Sequence, residues 1–169
     1  MKFSKKLLVS TSKIVRQCAK KRWRIATAES CTGGLIAACI TEIPGASKVF
    51  QQGYVTYSDA SKNKILNVSA NSIREFGAVS REVAILMANG LYSRSKCNLS
   101  ISVTGIAGPN GATKHKPIGL TYIAIKSKRI SFCKKFIFLG DRNKIRLATV
   151  EKTISIISQI ISGKVSSNF

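Results

Sequence analysis

Apolar and polar positions alternate along this chain with two periods. Leu7, Leu8, Ile14, Val15 and Cys18 recur at helical spacing and predict a first helix within residues 1–21. Trp23 to Ala28 then reads as a short strand, and the alanine- and leucine-rich run Thr32 to Ile40 as a buried helix that stops before Pro44 and Gly45. Val49 to Tyr57 predicts a second strand with Gly53 at a bend or bulge, and the alternation of Tyr54, Val55 and Tyr57 suggests that both tyrosines share a face. Ser58 or Asp59 is placed to cap a helix containing Lys62, Ile65 and Leu66. A longer helix is expected after Ser80, with Val83, Leu86, Met87 and Leu91 inward. The run "LSISVTG" has strand alternation, and "GIAGPNGATKHKP" is a loop by its glycines and prolines. Segments near Ile118 to Ile125 and Ile130 to Phe138 predict a hairpin. Asp141 opens a terminal helix with Ile145, Ala148, Ile156 and Ile160 on its apolar side and Gly163 as its stop. Alternating helix and strand periods imply an α/β or α+β layered domain.

Length and composition narrow this picture. A chain of 169 residues with neither repeat nor linker is expected to form one domain over residues 1–169, with 164–169 as a disordered tail. An apolar fraction of 44% and a mean hydropathy of +0.08 argue for a packed core despite a net charge of +21. That charge arises from 28 Lys+Arg against 7 Asp+Glu and favours nucleic acid, anionic lipid or phosphorylated metabolites; a simply solvated basic surface is the other reading. The lysines are dispersed, and no compact block stands out as a binding arm. Five cysteines without a CxxC pair suit a reducing compartment, and a single histidine, His115, argues against a zinc site. No apolar run is long enough to span a membrane. The acid-free start, "MKFSKKLLVSTSKIVRQCAKKRWR", superficially resembles a transit peptide, yet its periodic stripe runs straight into "WRIATA", which favours a helix.

Three loops at strand ends hold candidate chemistry: "AESCTGG", "TYSDASK" and "TGIAGPNG". Ser30 is either a nucleophile or a helix cap, and the local pattern leaves both open. As a nucleophile it needs a base. His115 lies in a polar loop, whereas Lys62 follows the second strand and can serve in place of a histidine if burial and neighbouring cations lower its pKa and so leave its amine neutral. A solvated helix lysine is the alternative for Lys62. Cys31 is a rival nucleophile or a packed thiol. Asp141 reads as a cap, and the adjacent Arg142 has the fork geometry that suits phosphate.

"AESCTGG", "PGASKVFQQGYVTYSDASKNKILNV", "GAVS", "TGIAGPNG…KPIG" and "GDR" occur in that order from about Ile25 to Arg142. Together they resemble the CinA C-terminal domain family, the nicotinamide-nucleotide amidohydrolases. The resemblance implies a three-layer α/β/α domain that converts nicotinamide mononucleotide to nicotinate mononucleotide and ammonia. It also implies the stand-alone form, lacking the molybdopterin-binding-type domain of longer members. On it, Ser30 attacks the amide carbon, Lys62 is the base and Tyr57 orients them or relays a proton. Thr32, Gly33 and Gly34 belong to the substrate site, with nearby backbone N–H groups facing the oxyanion. Thr104 and Gly105 line that site, and Arg142 binds substrate, as through its phosphate. No metal or redox cofactor is called for. The expected setting is cytoplasmic pyridine-nucleotide salvage, with a homo-oligomer, a small-molecule substrate and no membrane partner. A second reading is a non-enzymatic, competence-associated protein that contacts nucleic acid nonspecifically through its charge.

Overall fold

A computed structural model of the chain describes residues 2–163, so the tail expected at 164–169 lies outside the described residues. Helix α1 (Lys5–Lys21) starts at the Ser4 cap and delivers the chain to β1 (Ile25–Glu29). Then follow α2 (Leu35–Thr41), a 3-10 turn at Ala46–Lys48, and β2 (Phe50–Val55). Helices α3 (Asp59–Leu66), α4 (Ala70–Phe76) and α5 (Arg81–Ser95) lead to β3 (Leu99–Gly105). The chain closes with β4 (Leu120–Lys126), β5 (Ser131–Ile137) and α6 (Arg142–Ile161).

The five strands form one sheet in the order β2-β1-β3-β4-β5. Strands β1, β2 and β3 are parallel, whereas β4 and β5 form the expected antiparallel hairpin. Central β1 is buried throughout, as a strand covered on both faces must be, and edge strand β2 alternates between exposed and partly buried residues. Helices α1, α2 and α6 share one core with Ile25, Ile101, Val103, Ile123 and Ile125. Helices α3, α4 and α5 pack with Ala26 and Ala28 on the other face, which completes three layers.

Where α5 crosses β3 and β4, this second interface uses small residues. Ala84 and Ala88 of α5 meet Ala124, while Ser100 and Ser102 donate from β3 to the α5 carbonyls of Ala88 and Ala84, at 2.8 and 2.6 Å. Hydroxyls that would be costly if buried unpaired thus fasten α5 to the sheet. Helix α5 lies equally close to the end of α3. A Cβ at Gly90 would fall 1.9 Å from the Leu66 carbonyl oxygen, so only glycine fits.

Several boundaries differ from expectation. The β1 strand starts two residues later, because the Arg22 and Trp23 N–H groups close the end of α1 on the Ala19 and Cys18 carbonyls, and α2 starts three residues later, because Ser30–Gly34 form turns. The bulge in β2 lies at Gln51, between partners of Ile25 and Ala26, whereas Gly53 pairs in register with Thr27. Tyr54 packs into the α5-side core; Tyr57 lies beyond the strand and is exposed, so the two do not share a face. Asp141 caps α6, its Oδ1 accepting from Lys144 N at 2.9 Å, and Gly163 follows the helix end with φ 72°.

Candidate functional site

The carboxyl ends of β1, β2 and β3 point to one rim of the sheet, and the chain leaves β1 and β2 toward opposite faces. Open α/β sheets form ligand crevices at such a point. Here it holds a cavity of about 190 Å³ lined by Ser30 and Cys31 after β1, Tyr57, Asp59 and Lys62 after β2, and Thr104 and Gly105 at the end of β3. Ala78, Val79, Ala107 and Arg142 complete its wall.

Ser30 is not a helix cap. Gly34 occupies the α2 cap position with φ 91° and makes no side-chain cap bond. The capping oxygens come instead from Glu29, the last residue of β1. Its Oε2 accepts from Ile36 N at 3.0 Å and from Thr32 Oγ1 at 2.7 Å, and its Oε1 accepts from Ala37 N at 2.8 Å. The Ile36 and Ala37 N–H groups of α2 are therefore committed to a carboxylate, and of the N–H groups expected to face the oxyanion, from Ser30 to Gly34, those of Ser30 and Gly33 already donate to the Val103 and Ser30 carbonyls. Arg146, on α6, donates from Nη2 to the Thr32 carbonyl at 2.8 Å, and Ser30 N donates to Val103 O at 3.0 Å. The turn bearing Ser30 is thus held from the sheet, from Glu29 and from α6.

Lys62 is the largest fully buried side chain, at 1% exposure. Ser58 caps α3, its Oγ accepting from Ser61 N at 3.1 Å, and this fixes the helix that carries Lys62. The Lys62 Nζ donates to the Tyr57 carbonyl at 3.2 Å and stands 3.8 Å from Asp59 Oδ1. Burial lowers its pKa from the usual lysine value; Asp59 and then Cys31 act in the opposite sense. The Cys31 thiol is pushed up to about 12, chiefly by burial, which makes it a poor source of thiolate.

Other sequence candidates divide between wall and scaffold. Thr104 is buried and donates from Oγ1 to Ala78 O at 2.8 Å, tying β3 to the "GAVS" segment. At Gly105 a Cβ would lie 2.6 Å from Leu120 O and 3.1 Å from Cys31 Sγ. Exposed Arg142 donates to Gly108 O at 2.9 Å and to the Tyr57 hydroxyl at 3.0 Å. Thr32, Gly33 and Gly34 are off the cavity wall: Thr32 is engaged with Glu29 and Arg146, Gly33 faces the Arg146 guanidinium and Gly34 faces Val55. His115 is exposed in the turn bridged by Thr113 and Lys116, away from the cavity. Among the described residues no cluster of His, Cys, Asp and Glu is placed to hold a metal, and no helix is long and apolar enough to cross a membrane.

The CinA C-terminal domain model matches residues 9–161, nearly all of the described chain. The chain belongs to this family. A competence/damage inducible protein from Agrobacterium tumefaciens superposes with a TM-score of 0.89 at 36% identity, covering 96% of this chain and 99% of that one. A CinA-superfamily protein from Escherichia coli gives 0.88 at 30% identity over 95% and 94% of the two chains. A competence-damage inducible relative from Caldicellulosiruptor saccharolyticus is 45% identical over 148 residues, 88% of this chain and 36% of its own length. One from Clostridioides difficile is 52% identical over 128 residues, 76% of this chain. The chain thus spans only about a third of the length of these curated relatives, 36% and 31% respectively.

Glu29 and Arg146 were not among the residues singled out from sequence. The CinA-like motif contains Glu29, but its capping role depends on a turn that reverses the chain. Arg146 stands one helical turn after Arg142, a spacing that places both on one side of α6.

Proposed function

We propose that this CinA-family domain is an amidohydrolase that removes the carboxamide nitrogen of nicotinamide mononucleotide, giving nicotinate mononucleotide and ammonia. The observation that carries this reading is that Ser30 and a fully buried Lys62 wall the same small cavity, with the lysine pKa lowered by its surroundings. A neutral lysine amine is a competent base for a serine hydroxyl, which is otherwise a weak nucleophile. Lys62 takes the Ser30 proton as Oγ attacks the amide carbon. The resulting ammonium returns the proton to the departing nitrogen, the C–N bond breaks and an acyl-serine remains. Water, activated by the same amine, then attacks the acyl carbon, and the carboxylate leaves as Ser30 is reprotonated.

The Cys31 N–H, next in the chain to Ser30 and without a backbone carbonyl partner among the described residues, is one wall donor available to the oxyanion. At the mouth, the Arg142 guanidinium supplies a cation for the substrate phosphate. Its bonds to Tyr57 and Gly108 place it there before substrate arrives.

The test is ammonia and nicotinate mononucleotide release in equal amounts by purified protein. Ser30→Ala should lower kcat by at least about 10³-fold with an unchanged thermal melt. Cys31→Ala should leave turnover largely intact. Full activity of Ser30→Ala would reject the mechanism, and activity lost only in Cys31→Ala would transfer the nucleophile to the thiol.

A further inference from the structure

Dispersed in the sequence, the lysines are gathered by α1. Lys5, Lys6, Lys13, Arg16 and Lys20 are all exposed on this helix. At 3.6 residues per turn they occupy an arc of roughly 100° along about 22 Å of axis. Leu7, Thr11, Ile14, Val15 and Cys18 fill the opposite side and are buried. Helix α1 contains no acidic residue. Glu151 of α6 shares a groove with Lys6, but the ion pairs found among the described residues, Lys62–Asp59 and Lys144–Asp141, lie elsewhere. Two nearby cations are already engaged: Lys21 with the Ile161 carbonyl and Arg24 with Gln51. None of the five cations of the stripe belongs to an ion pair found among the described residues.

We propose that this face of α1 binds the phosphate backbone of duplex nucleic acid without reading its sequence. A straight, single-sign stripe matches a polyanion that presents one charge per roughly 1.7 Å of axis. The apolar side of α1 is consumed by the core shared with α6, so the helix has no hydrophobic face to insert into a lipid surface. Val9 is the only exposed large hydrophobic residue on it. The exposed face carries no aromatic residue on which an unpaired base would stack, which favours a duplex over a single strand. Dispersed positive charge would attract any polyanion weakly; a stripe lets several phosphates be met at once. This surface is independent of the cavity chemistry, and its test does not require turnover.

The experiment compares three full-length proteins by fluorescence anisotropy with a labelled duplex of about 20 base pairs, titrated from about 50 to about 200 mM salt. One variant replaces Lys6, Lys13, Arg16 and Lys20 with glutamine. The other replaces Lys48, Lys64, Lys128 and Arg129, which are exposed on other parts of the molecule, so both variants carry the same net charge. Glutamine has nearly the helix propensity of lysine, and thermal melts verify folding.

For the unaltered protein, about five phosphate contacts predict a slope of log K against log salt of about −4.5, or roughly 500-fold weaker binding across that range. The α1 variant should bind at least about 30-fold more weakly with a slope near −1, and the control should stay within about threefold. Equal losses in the two variants would replace the stripe with diffuse charge. Absence of salt-dependent duplex binding in the unaltered protein would overturn the proposal. Tighter binding to vesicles containing about 30% phosphatidylserine than to duplex would assign the face to lipid headgroups instead.

Discussion

The Arg142 guanidinium stands 3.0 Å from the Tyr57 hydroxyl oxygen and joins the start of α6 to the segment after β2. Its other arm reaches Gly108 O at 2.9 Å, so three chain segments meet at the mouth of the cavity. If Arg142 receives a phosphate, Arg142→Gln should raise KM for nicotinamide mononucleotide at least about tenfold, with a smaller change in kcat. The same substitution should barely affect the dephosphorylated nucleoside. Equal losses for both substrates, read from steady-state kinetics, would assign the arginine to holding the mouth together instead.

Lys62 gives a signed pH dependence. If Lys62 is the base, its neutral amine is the reactive form; burial lowers its pKa, so kcat/KM should rise with pH and level off below the usual lysine pKa of about 10.5. Asp59 opposes that shift. Asp59→Asn should therefore move the ascending limb to lower pH, and an upward displacement would contradict the assignment. Lys62→Arg should lose at least about 10³-fold, because guanidinium stays charged across the working range.

Glu29 predicts a structural effect at the same turn. Its carboxylate receives three hydrogen bonds, from Thr32 Oγ1, Ile36 N and Ala37 N. Glu29→Gln replaces one acceptor oxygen with a donor and should cost about 1–3 kcal/mol in urea unfolding; Glu29→Ala, which leaves all three donors unanswered, should cost more. Undiminished stability in both would mean that water replaces the carboxylate without penalty.

Buried Cys18 makes folding sensitive to alkali. Its thiol is raised to about 12, mainly by burial, with Lys21 acting in the opposite direction. The folded state holds this proton above pH 9, where the unfolded chain releases it, so stability attributable to the thiol falls as pH rises from about 9 toward 12. Between pH 8 and 10 the stability of the unaltered protein should decline relative to Cys18→Ala by about 1 kcal/mol. A constant difference between their urea midpoints would count against this linkage.

Strong periodicity made α1, α5, the β4–β5 hairpin and the Asp141 cap legible in the sequence. Helix α4 was not, since its seven residues contain one buried side chain, Ile73, too little for a periodic signal. The start of α2 was misplaced for another reason: Gly33 and Gly34 adopt positive φ, and the cap arrives from a strand residue rather than from the residue beside the helix. Ordered motifs nominated Ser30, Tyr57, Lys62, Thr104, Gly105 and Arg142, all on one cavity wall. Spacing could not separate wall from support, so Thr32, Gly33 and Gly34 were grouped with them. That distinction depends on where side chains point after the chain turns.

Leu66 ends the helix that carries Lys62, and its carbonyl leaves no room for a methyl group on Gly90. A Gly90→Ala change would have to lever α3 outward, displacing the Lys62 amine, which the altered residue never touches. If Lys62 is the base, the placing of its amine is thereby answerable to a backbone seam away from the cavity, and a mutation that looks like a packing defect there would be read out as a change in pH response.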